Sequence, residues 1–158
     1  MEAKAKLLGH PIHQMLVALP LGLLVGAWIA DVGLFATGKV VLAEVAYWNT
    51  AGGIVMGLFA AVFGFIDWVA VPIGTRAKGI GAWHAGFNVF MLLLFTGSLL
   101  IRNFAPAHTP SLAAFGCATA GLVVAAVSGW LGGELVNRLG IGVSPNPNLN
   151  APSSLSRT

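Results

Sequence analysis

A chain of 158 residues that is 57% hydrophobic and only 8% charged, with a mean hydropathy of +0.86, is not the sequence of a water-soluble domain. Its net charge of +3 comes mostly from short polar segments and tails, which gives no argument for nucleic-acid binding. G-x-S-x-G, the P-loop, H-E-x-x-H and the dinucleotide fingerprint are all missing, so an enzyme acting alone is not expected.

In chain order, Lys4 and Lys6 lead into GHPIHQ, residues 9–14, which sets two of the four histidines directly before an apolar run. Pro11 suits the first position of a helix, where its missing N–H goes unused, so His10 is expected at the cap and His13 in the first turn. The run that follows, about 12–36, is too long for the core of a secretory signal, and FATGKV lacks a small-x-small cleavage site. It is read as a first membrane span. Pro20 removes one backbone hydrogen bond within it and predicts a kink.

Further apolar runs at about 50–71, 80–101 and 111–135 complete a set of four, each long enough for the roughly 30 Å hydrocarbon slab at 1.5 Å per residue. The expected fold is an all-α integral membrane protein, a four-transmembrane-helix antiparallel bundle. It forms one domain over residues 1–143, and a polar tail over 144–158, rich in Pro, Asn and Ser, is read as disordered. Gly22 with Gly26, and Gly53 with Gly57, are small residues four apart that let helix backbones approach closely. The lone Cys117 falls inside the fourth span and reads as a small packing residue.

With four spans, both termini share a side. That side collects Lys4, Lys6, Arg76, Lys78, Arg138 and Arg157, against Lys39 and Arg102 opposite, which predicts cytoplasmic termini in a bacterial inner membrane. Trp68, Trp83 and Trp130 then fall near the inner interface, and Trp28, Tyr47 and Trp48 near the outer one. At the inner level the sequence gathers His10, His13, His84, Asp67 and Glu134, drawn from all four spans. Asp67 and Glu134 lie near helix C-termini, where the dipole opposes a negative charge, so each needs a histidine, an arginine or a bound cation beside it. Arg76, a short loop after Asp67, is the expected ion-pair partner. Asp31 and His108 are left at the outer end. Each hairpin supplies one histidine at its start and one carboxylate at its end, the pattern of a parallel internal repeat, although the spacings differ between the halves.

Three blocks, GHPIHQMLVALPLGLL, GFIDWVAVPIGTRAKGIGAWHAGFNV and SGWLGGELVNRLGIGV, resemble the predicted four-span membrane proteins grouped as domain of unknown function 2231. The resemblance runs to about Val143, and its pattern falls on His10, Pro11, His13, Asp67, Trp68, Arg76, His84, Gly133 and Glu134. Gln14 stands where a second proline is expected, and Leu139 where many relatives carry histidine. Relatives joined to Rieske-type iron–sulfur domains imply membrane redox chemistry.

Several functions are compatible with the inner layer. One is a haem b site with His84 and either His13 or His10 as axial ligands, held for electron transfer with a quinone or a Rieske-type protein. Another is a zinc, iron or manganese centre built from His10, His13, His84, Asp67 and Glu134. In the remaining two, the layer only clamps helix ends together, or a homo-oligomer conducts cations or protons across the bilayer.

Overall fold

The computed structural model describes residues 1–156, so Arg157, one of the cations counted toward the cytoplasmic side, lies outside the described residues. Two short strands, β1 (Lys6–Leu7) and β2 (His10–Pro11), pair in antiparallel fashion about a turn with Leu8 and Gly9 at positive φ. The helices are α1 (Ile12–Leu16), α2 (Ala18–Thr37), α3 (Val41–Val69), α4 (Arg76–Asn103) and α5 (Leu112–Gly133), and a π turn follows over Glu134–Arg138. Helices α1 and α2 form one span broken at Val17, next to the Leu16 carbonyl that Pro20 cannot serve. Among the described residues, four segments are long and apolar enough to cross a membrane: Ile12–Thr37, Val41–Val69, Arg76–Asn103 and Leu112–Arg138.

The second span starts at Val41, well before the expected Thr50. Glu44, Tyr47 and Asn49 interrupt the hydropathy there, yet Ala43, Ala46 and Thr50 fall on one buried helical face that carries the helix outward. Side-chain caps start the later helices, with Thr75 accepting from the Lys78 amide and Ser111 from the Ala114 amide. Gly38, at φ 69°, closes α2 by donating its N–H to the Leu34 carbonyl.

The strongest packing is within two hairpins, α2 against α3 and α4 against α5. These hairpins repeat one another. His13, Leu24 and Asp31 in the first span recur with identical spacing as His84, Phe95 and Arg102 in α4, and Gly53, Ala60 and Gly64 in α3 recur as Gly121, Ser128 and Gly132 in α5. The packing recurs with them. A methyl group built on Gly53 would lie 2.7 Å from the Leu24 side chain, and one on Gly121 would lie 2.7 Å from the Phe95 ring. Each hairpin thus seats one large core residue in a glycine notch, which fixes its helix register. Gly57 receives Leu92 in a similar way, whereas Gly22 faces open space and mediates no contact.

Leu24, Met91, Leu92, Phe95 and Ala118 form the core. On the outer surface Val55, Phe59, Val62, Phe65 and Ile66 of α3 are exposed, a lipid-facing stripe that would be anomalous in water. Residue 1 and residues 140–142 meet at one end of the bundle: the Met1 ammonium donates to the Gly140 carbonyl at 2.7 Å and the Gly142 amide to the Met1 carbonyl at 2.8 Å. Residues 144–156 carry no helix or strand.

Candidate functional site

The five ionisable residues expected in one layer occupy four separate settings. His10 is not a helix cap. It lies in β2, exposed, with Nε2 3.2 Å from the Ser154 hydroxyl, because the chain pairs with β1 before the helix begins at Ile12. Asp67 lies at the end of α3, where its Oδ1 accepts the backbone N–H groups of Lys4 at 2.6 Å and Ala5 at 2.9 Å. The N-terminal segment therefore supplies the donors that the helix C-terminus withholds. Glu134 pairs with Arg76 at 2.9 Å, and Arg138 Nε lies 3.9 Å from its other oxygen. The expected Asp67–Arg76 pair does not form, since the turn before α4 carries Arg76 toward the end of α5. Lys78 instead caps α3, donating to the Trp68 carbonyl at 2.7 Å and lying over the Trp68 ring.

The structure does bring His13 and His84 together. Their ring centroids are 6.3 Å apart and their planes nearly perpendicular, at 89°. His13 reaches from α1 to α3, where Nδ1 lies 2.9 Å from the Ala60 carbonyl. His84 reaches from α4 to α5, where Nδ1 lies 2.9 Å from the Ser128 carbonyl. A carbonyl oxygen can only accept, so each Nδ1 carries a proton, and in the neutral ring Nε2 is then the nitrogen with the lone pair. This is the tautomer in which imidazole binds a metal, with the second nitrogen oriented by a backbone carbonyl.

Both rings rest on glycine. A methyl on Gly64 would lie 2.8 Å from His13 Cε1, and one on Gly132 would lie 3.3 Å from His84 Cε1. The two halves therefore present their imidazoles through the same construction: a carbonyl on the neighbouring helix and, one turn later, a glycine seat. Among the described residues no three His, Cys, Asp or Glu side chains gather closely enough to hold a metal ion.

A second pair at the opposite end of the bundle escaped the reading of the sequence. Arg102, expected on the side opposite the termini, is a buried residue of α4, 1% exposed, and Asp31 is equally buried on α2. Nη1 donates to Oδ1 at 3.0 Å and Nη2 to Oδ2 at 2.6 Å, while Nη2 also reaches Ser98 Oγ at 3.3 Å. Beside this pair, on the same end, His108 stacks on Tyr47 at 3.8 Å and meets Glu44 Oε1 at 2.9 Å, tying the α4–α5 connection to α3. Between the histidine pair and the ion pair the interior is filled by Leu24, Met91 and Phe95.

The sequence model of a family described as "Predicted membrane protein (DUF2231)" matches residues 9–145. No curated protein and no solved structure matches the chain.

Proposed function

The chain belongs to the DUF2231 family of predicted membrane proteins, and from that premise we propose that it is a multi-pass membrane subunit that holds a b-type haem between His13 and His84 for electron transfer. The observation that carries this reading is the shared orientation of the two imidazoles: each Nδ1 faces a backbone carbonyl, which leaves Nε2 as the nitrogen turned away from it, and the rings are 6.3 Å apart, with His84 Nε2 also 3.0 Å from Asn88 Nδ2. His13 and His84 would supply the two protein nitrogens that a b-type haem takes as ligands. A haem iron asks the protein for only two axial ligands, whereas a bare zinc, iron or manganese ion asks for three or four. Two imidazoles that no carboxylate joins among the described residues suit the former demand.

A haem at this position supplies one-electron chemistry. His13 and His84 would hold it, and the carbonyls of Ala60 and Ser128 would orient them and raise their basicity. The apolar filling by Leu24, Met91 and Phe95 favours passage of electrons over passage of ions. The subunit would exchange electrons with a quinone or a Rieske-type protein rather than act as an enzyme by itself. Its termini, and with them the histidine end, would face the cytoplasm across a bacterial inner membrane, as the excess of Lys and Arg at that end favours.

The test is a reduced-minus-oxidised visible spectrum of detergent-purified protein expressed with a haem supply. A sharp b-type band lost on replacing His13 or His84 with alanine is expected, with His10→Ala unchanged. A featureless spectrum from folded protein overturns the proposal.

A further inference from the structure

Helix α4 carries a second stripe, turned away from the one that packs into the core. Arg76, Gly79, Trp83, Gly86 and Phe90 recur at steps of three and four, which sets them along one side of the helix, and all five are exposed. The buried residues Met91, Leu92, Phe95 and Ser98 lie on the other side. A methyl group built on Gly79 or Gly86 would meet nothing within 4 Å, so these two glycines seat no neighbouring helix. At Gly86 the missing side chain leaves an apolar groove of about 280 Å³, lined by Trp83, Gly86, Phe87 and Phe90. Beyond its upper end, Glu134 draws together two guanidinium groups, with Arg76 Nη2 at 2.9 Å and Arg138 Nε at 3.9 Å. Those arginine side chains are 61% and 77% exposed, and two positive charges share one negative charge.

We infer that this face binds one anionic phospholipid, with its phosphate against Arg76 and Arg138 and an acyl chain in the groove at Gly86. The depths agree. At 1.5 Å per residue, Gly86 lies about 15 Å and Phe90 about 21 Å along α4 from Arg76. From headgroup layer to midplane, half a bilayer measures about 20 Å. A chain that starts from a phosphate beside Arg76 therefore passes Trp83 and Gly86 and ends near Phe90, within one leaflet. The charge agrees as well. A phosphodiester on an uncharged headgroup alcohol carries one negative charge, which balances the excess that Glu134 leaves, whereas a zwitterionic lipid brings a further cation to the same place. Guanidinium is the fitting donor, because its planar fork matches phosphate oxygens. The site faces lipid rather than the core, and it stands whether or not the histidine pair holds a haem.

The experiment is native mass spectrometry of the full chain, released from detergent after titration with dioleoyl phosphatidylglycerol or dioleoyl phosphatidylcholine. Wild type is expected to hold one phosphatidylglycerol and to bind phosphatidylcholine about fivefold more weakly or worse. Arg138→Gln leaves the Arg76–Glu134 pair in place and is expected to weaken phosphatidylglycerol by about fivefold, the weight of one cation at an anionic headgroup. Gly86→Leu fills the groove on an open helix face and is expected to weaken the same lipid by about tenfold with both arginines present. Gly86→Ile serves the same comparison if the leucine variant fails to accumulate, and circular dichroism checks the fold of each. Equal binding of the two lipids, or unchanged binding in the Arg138 and Gly86 variants, overturns the inference. Full binding in Gly86→Leu with displacement by glycerol phosphate would mean a phosphate site without an acyl groove. Wild-type dimers that Gly86→Leu dissolves would mean that a second copy covers the groove. Either result overturns the lipid assignment.

Discussion

Asp31 and Arg102 meet in a two-point ion pair with both side chains buried, at positions 71 residues apart that correspond in the two hairpins. Two charges withdrawn from solvent are tolerable only as a pair, and removal of one partner strands the other, at a cost of about 3–5 kcal/mol. Asp31→Leu and Arg102→Met are each expected to lower the melting temperature in detergent steeply, and the double substitution to recover most of the loss. Additive losses in a double-mutant cycle would show that the two side chains are not energetically coupled.

The glycine notches predict a size limit. With only 2.7 Å between a methyl at position 121 and the Phe95 ring, Gly121→Ala forces an off-rotamer ring or a helix shift, worth about 1–3 kcal/mol of overpacking. Phe95→Leu in the same chain is expected to relieve the clash and raise the melting temperature above that of Gly121→Ala. Gly22→Ala, with nothing within 4 Å, is expected to leave stability unchanged and serves as the control. Equal effects at positions 22 and 121 would contradict the notch.

Apolar runs made the four spans legible because a span needs only length and hydropathy, both local properties. The start of α3 was not legible, since Glu44, Tyr47 and Asn49 look like a loop until His108 is seen stacked on Tyr47 and paired with Glu44. The inner layer was half legible. Depth along a helix follows from the sequence, but direction around the axis decides partners, so His13 and His84 met while Asp67 turned to the N-terminal backbone and Glu134 to Arg76. The Asp31–Arg102 pair did leave a signal: each lies at the same distance after its hairpin's histidine. Aligning the halves on carboxylates hid it, because Asp67 and Glu134 are not corresponding positions.

Asp67 and Glu134 look alike in sequence and are expected to behave differently. Glu134 pairs with an Arg76 side chain that is 61% exposed, so Glu134→Gln should change stability by no more than about 1 kcal/mol. Asp67 accepts two backbone N–H groups, and Asp67→Ala should loosen the N-terminal segment by up to about 3–6 kcal/mol, the worth of two hydrogen bonds to a charged acceptor. Hydrogen exchange at the Lys4 and Ala5 amides measures this directly. Unchanged protection in Asp67→Ala would remove the carboxylate as the anchor of that segment.

The two imidazole seats predict an order of sensitivity. A methyl on Gly64 would meet His13 Cε1 at 2.8 Å, closer than carbon atoms approach, whereas one on Gly132 would meet His84 Cε1 at 3.3 Å, where a shift of a few tenths of an ångström suffices. His13 also sits on the short α1 segment ahead of the break at Val17, so its ring can give way by moving its own helical turn, and its bond to the Ala60 carbonyl goes with it. On the proposed haem role, Gly64→Ala is therefore expected to reduce haem content per protein severely, Gly132→Ala only partly, with both proteins folded by circular dichroism. The reverse order, measured by pyridine haemochrome against protein mass, would mean that the seats do not position the rings. Such a result would leave the carbonyls of Ala60 and Ser128 as the sole orienting groups.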